Sequence, residues 1–133
     1  MKAAVLTLAA ALLLLASCQT APGTLSAGDS AEIYFQRAQA ASDLNQYDEA
    51  LGIYRLFLTN RPDATHEESF SARYEIALLQ DKQGLTADAI AGFSTLVADY
   101  DDLEKSTGAP SWVKVLSQKK LQELKDKAPK TKP

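Results

Sequence analysis

The 133-residue chain has one cysteine, one histidine, one tryptophan and one methionine. A single cysteine excludes a disulfide within a monomer, so stability has to come from packing. A single histidine, His66, leaves no nucleophile with a base to act on it, and His66 reads as a solvated residue in the first turn of a helix. The six glycines are scattered, and none forms a glycine-rich phosphate loop. Asp99, Asp101, Asp102 and Glu104 lack the spacing and central glycine of a calcium loop. A formal net charge of -3 gives no global signal for nucleic acid. No cofactor, no metal and no catalysis are therefore expected.

What is present begins at the N-terminus. Met1 and Lys2 precede an apolar run from Ala3 to Ala16. A charged start, a short apolar stretch and small residues before a cut make a secretory signal. The run is too short to span a bilayer as a helix, which takes roughly 20 apolar residues. Removing residues 1–17 leaves 116 residues, enough for one small core. Residues 18–28 are small, polar and broken by Pro22, Gly23 and Gly28, which predicts a flexible tether.

The four residues Leu15-Ala16-Ser17-Cys18 resemble the lipobox of bacterial lipoproteins. That resemblance implies cleavage before Cys18, a diacylglyceryl thioether on its sulfur and attachment to a membrane through acyl chains. Gln19 stands where an Asp would commonly mark inner-membrane retention in that family. The implied location is the outer membrane, facing the periplasm, or the cell membrane if the organism has only one.

From residue 29 to residue 127 the signals are helical. Asp29 and Glu32 stand in a capping-box relation. Tyr34, Ala38 and Ala41, with Ile33, Ala40 and Leu44, have the spacing of a buried helical stripe. Asn45-Gln46 reads as a turn. A second helix carries Ala50, Leu51, Ile53, Tyr54, Phe57 and Leu58, and stops before Pro62. Thr65 and Glu68 form a second capping box, and Phe70, Tyr74, Ala77 and Leu78 make the third stripe. Gly84 fits a left-handed helix end. A fourth helix carries Ala89, Ile90, Phe93, Leu96, Val97 and Tyr100 and is expected to end near Tyr100. Residues 102–109 read as a loop. A last helix over 110–127, capped by Ser111, has Trp112 or Val113, Leu116, Lys120 or Leu121, and Leu124 as its stripe. Trp112 is expected to pack on the fourth helix, and residues 128–133 to be disordered.

The hairpins 29–62 and 65–101 agree in kind at an offset of 39 residues. Ala38 meets Ala77, Ala50 meets Ala89, Tyr54 meets Phe93, Phe35 meets Tyr74, and Asn45 meets Gly84. Neither hairpin can bury its apolar face alone, so such units must stack. Tyr34, Ala38, Ala50, Tyr54 and Pro62 resemble the tetratricopeptide repeat, with departures at Arg37, Ala41 and Asp101. The offset exceeds that family's 34 residues, which places an insertion of about one turn around Ala64 to Glu68. The expected fold is all-α: a short tetratricopeptide-like stack of two hairpins plus a C-terminal capping helix. An ordinary four- or five-helix bundle is the other architecture that fits.

The resemblance implies an adaptor whose first helices line a concave, partner-binding face. Here that face would include Phe35, Gln39, Ser42, Asp43, Tyr74, Leu78, Asp81 and Lys82. Phe35, Tyr74 and Leu78 are either exposed anchors in the groove or buried under a neighbouring helix. The implied partner is an envelope protein or peptide, as in outer-membrane assembly, pilus assembly or control of cell-wall enzymes. A second reading is a structural envelope protein that self-associates through its last hairpin and the Trp112 helix. Residues 18–110 carry 6 basic and 15 acidic side chains, whereas residues 111–133 carry 7 basic and 2 acidic. That basic end is either a contact surface or a solvated face.

Overall fold

The computed structural model describes residues 23–127. The expected signal peptide 1–17, Cys18 and the tail 128–133 lie outside the described residues. The elements are α1 (Ala31–Asp43), α2 (Tyr47–Asn60), α3 (His66–Lys82), α4 (Thr86–Asp99), a short α5 (Leu103–Ser106) and α6 (Ser111–Lys127). The described fold is all-α. Helices α1 and α2 form one hairpin and α3 and α4 a second; α3 packs on α2, and α6 packs on α4 and partly on α3.

The 39-residue offset holds in three dimensions. Helix α4 has the bounds of α2 shifted by 39. Both hairpin turns are Schellman motifs built on the same step. Gln46 N–H donates to the Ala41 carbonyl at 2.9 Å, and Leu85 N–H to the Gln80 carbonyl at 2.9 Å. Asn45 (φ 59°) and Gly84 (φ 77°) take the left-handed position in each. Ala38, Ala77, Ala50 and Ala89 are fully buried at the helix crossings. The extra turn lies at the start of α3, where Thr65 caps the helix. Its hydroxyl accepts from Glu68 N–H at 3.2 Å while the Glu68 carboxylate accepts from Thr65 N–H at 2.8 Å. Such a cap is worth about 1 kcal/mol.

The bridges between paired helices also repeat, with changed chemistry. In the first hairpin the Asn60 amide donates to the Tyr34 hydroxyl at 2.9 Å. The equivalent positions in the second are Arg73 and Asp99, joined by a partly buried ion pair at 2.5 Å. The Phe35–Tyr54 ring pair (5.2 Å, edge-on) recurs as Tyr74–Phe93 (5.7 Å).

Several expectations need correcting. Ser30, not Asp29, is the N-cap of α1, and the Asp29 carboxylate instead accepts from Ser26 N–H at 2.7 Å. Ile33, Ala40 and Leu44 are exposed, because among the described residues no hairpin covers that side of α1. Residues 23–28 are not a free tether. Leu25 packs on the first core cluster, Tyr34 O–H donates to the Ser26 carbonyl at 2.8 Å, and Arg37 donates to the Gly23 carbonyl. The stretch 102–109 contains α5, capped by the Asp102 carboxylate, which accepts from Glu104 N–H at 3.0 Å. Those backbone hydrogen bonds, foremost that from Lys105, hold the Asp102 carboxyl below the usual carboxylate range. Helix α6 opens at Ser111 itself and buries Val113, Ser117 and Leu124, leaving Leu116 exposed. Trp112 lies edge-on to Tyr74 of α3 at 5.3 Å.

Two glycines in helix interiors separate packing from propensity. A Cβ added to Gly92 would lie 3.0 Å from the Ala77 Cβ, so this glycine sets how closely α3 and α4 approach. Gly52 has open space around its Cβ direction. Gly92→Leu is expected to destabilise by about 2 kcal/mol through overpacking. Gly52→Ala is expected to stabilise by up to about 1 kcal/mol through helix propensity. Urea unfolding followed by circular dichroism checks both; equal effects would contradict the close crossing at Gly92.

Candidate functional site

The side between α1 and α3 holds two adjoining hollows that share Phe35. One, of about 260 Å³, is lined by Ala31, Glu32, Phe35, Glu67, Glu68 and Ser71. The other, of about 470 Å³, is lined by Phe35, Gln36, Gln39, Ala40, Asp43, Tyr54 and Glu75. Phe35 is half-buried, wedged edge-on against Tyr54 and Phe57. The floor is therefore aromatic. The rim is acidic: Glu32, Asp43, Glu67, Glu68 and Glu75 all border it. Two of these are held in place along α1, since Gln36 donates to Glu32 at 3.0 Å and Gln39 to Asp43 at 2.7 Å.

The eight residues expected on this face divide. Phe35, Gln39 and Asp43 line the groove. Ser42 is buried, with the Lys82 ammonium donating to its hydroxyl at 3.4 Å. Lys82 also sits 5.7 Å from the Tyr47 ring. Tyr74 is buried at 6% exposure between Phe93 and Trp112, and Leu78 packs against the second core cluster. Asp81 is bound to Lys120 of α6 at 3.0 Å, a hydrogen bond that raises the Lys120 ammonium pKa. Of the three proposed anchors, only Phe35 lines the hollows. The difference lies in what each helix faces: Tyr74 meets the broad indole of α6, whereas Phe35 faces Ser71 and acidic side chains across an open hollow. Glu75 was missed, although it is the 39-residue counterpart of Gln36, one position past the matched pair Phe35 and Tyr74.

No cluster of three or more His, Cys, Asp or Glu residues able to hold a metal ion occurs among the described residues. His66 is exposed but engaged. Its Nδ1 lies 2.5 Å from the Thr107 carbonyl, so that nitrogen carries the proton and the ring braces the loop after α5. Asp99 is taken up by Arg73 and, at 3.6 Å, by Lys105.

With the geometry established, residues 32–64 and 71–102 match the family model Tetratricopeptide repeat. The chain carries two tetratricopeptide repeats. The matches begin 39 residues apart, the step that also relates the turns, bridges and aromatic pairs. Comparisons with curated proteins and with solved structures gave no match. Tetratricopeptide repeats serve protein–protein interaction or scaffolding and are in general not enzymes, in keeping with a groove whose assets are an aromatic floor and fixed charges.

Glu75 is the charged residue of the groove most at odds with its surroundings. Burial pushes its carboxyl above the ordinary glutamate range, and the charge of Lys82 only partly offsets this. Among the described residues no cation lies within ion-pair distance of it. A carboxylate whose folded pKa is raised costs stability while ionised, and the cost lifts as pH falls through that pKa. Glu75→Gln is therefore expected to unfold at a higher temperature than the wild type at pH 7. The two curves should converge as pH falls below the glutamate range. Thermal unfolding over a pH series checks this, and a Tm difference independent of pH would contradict it.

Proposed function

We propose that the chain is a lipid-anchored adaptor of the cell envelope. On this reading, the groove between α1 and α3 holds a segment of a protein partner near the outer membrane. The observation that carries the reading is the groove itself: a half-buried Phe35 packed on aromatic rings, ringed by carboxylates, on two tetratricopeptide repeats. Charge complementarity favours a partner segment that places an apolar side chain on Phe35 and lysine or arginine beside it. Glu75, kept ionisable at a cost to stability, fits a residue retained for binding.

The anchor rests on Leu15-Ala16-Ser17-Cys18. Gly23 is held against α1 by Arg37, so four residues lie between the fold and Cys18, five Cα-to-Cα steps in all. Fully extended they reach roughly 18 Å. A groove on so short a lead serves partners at or beside the membrane.

The test is a photo-crosslinking residue placed at Gln36 in the full chain in cells. A discrete adduct is expected. It should weaken with Glu32→Lys/Glu67→Lys, which leaves the aromatic floor intact, and be absent from a crosslinker at the exposed Thr95 of α4. No adduct from Gln36, or the same adduct from Thr95, would remove the groove from the account. Mass spectrometry of the N-terminal peptide tests the anchor separately: an acylated Cys18 is expected, and an unmodified Cys18 still preceded by Ser17 would rule it out.

A further inference from the structure

The two ends of the stack are finished differently. At the junction between hairpins, Ala72, Ile76 and Leu79 of α3 join the core of the first hairpin. Their counterparts 39 residues earlier are Ile33, Arg37 and Ala40 of α1, which no hairpin covers among the described residues. Ile33 and Ala40 are exposed, and Arg37 is turned to the Gly23 carbonyl. A groove of about 510 Å³ lies along this side, bordered by Leu25, Ala40, Leu44, Ile53 and Leu56. Leu44 is 71% exposed and Leu56 38%. This is a stacking face without a neighbour, which repeat arrays elsewhere cover with a polar cap.

At the opposite end α6 covers α4, as α3 covers α2. Val113, Ser117 and Leu124 face inward. Trp112, Val115 and Leu116 form a second apolar stripe at i, i+3 and i+4, exposed by 43%, 61% and 38%. A capping helix with one polar side would lack this stripe.

We propose that these two faces meet: α6 of one copy lies in the α1–α2 groove of the next. Their charges are complementary. Two charged residues border the α1–α2 groove, and Arg37 is already bound to the Gly23 carbonyl, which leaves the Glu49 carboxylate. On α6 the exposed Lys119 continues the stripe one turn past Val115 and Leu116. The two faces are different surfaces at opposite ends of one chain, so the contact is heterologous and does not close on itself. It builds open rows. The groove between α1 and α3 shares only Ala40 with this face, so each added copy would contribute a further partner site.

Sedimentation velocity on residues 18–133 bearing Cys18→Ser, which hold every described residue, tests this over a range of protein concentrations. The wild-type domain is expected to grow in size with concentration without halting at a dimer, and to shrink toward monomer as salt is raised. Leu44→Lys/Leu56→Lys disables the α1–α2 face, and Val115→Glu/Leu116→Glu disables the α6 face. All four positions are exposed, so both variants are expected to keep the wild-type circular dichroism spectrum. Each alone should be monomeric. An equimolar mixture should stop at a one-to-one dimer, because it offers one working face of each kind. A wild-type domain that is monomeric throughout overturns the proposal. So does an α6 variant that still dimerises, which would mean a symmetric contact, or a mixture that stays monomeric.

Discussion

The structure depends on the contact between α2 and α3. Each hairpin is too thin to hide its apolar face, and the first core is completed only by Ala72 and Leu79, contributed by the second hairpin. Both are almost fully buried. A leucine buried to that degree is worth about 2 kcal/mol, a sizeable share of the stability of a small domain. With no disulfide possible within the monomer, this junction and its counterpart between α4 and α6 carry the fold.

Repetition here conserves geometry more than chemistry. One cross-helix position is filled by the neutral pair Tyr34–Asn60 and then by the ionic pair Arg73–Asp99. Another exchanges the two rings, with Phe35–Tyr54 followed by Tyr74–Phe93. What distinguishes the copies is their neighbour. Tyr74 lies under an indole and belongs to the core; Phe35 has only small and acidic residues opposite and becomes the floor of a groove. The open hollow arises where the repeat pattern is incompletely covered.

Much of the fold was legible because its determinants are local. The Thr65–Glu68 capping box, the left-handed Asn45 and Gly84, and the buried alanines all follow from short-range rules. The 39-residue step was legible through like-for-like substitution. The second stripe of α3, Ala72, Ile76 and Leu79, was overlooked because a helix buried on two sides has no single polar face to reveal it. Exposure of Ile33 and Leu44 was illegible for a related reason: a stripe looks the same in sequence whether or not a neighbour exists to cover it. Groove membership failed at Tyr74 and Leu78 since it turned on where α6 lies, a long-range fact. The α5 turn escaped because four residues carry no periodicity.

The proposed adaptor role needs a rigid surface, and a stack of two thin hairpins is rigid only if they unfold together. Native-state hydrogen exchange as a function of denaturant measures this most directly. Amides of α2 and α3 should open with the same free energy and the same denaturant dependence, as parts of one unit. If α3 and α4 stay protected at concentrations where α2 exchanges freely, the hairpins stand independently, and the groove between them is not a fixed site.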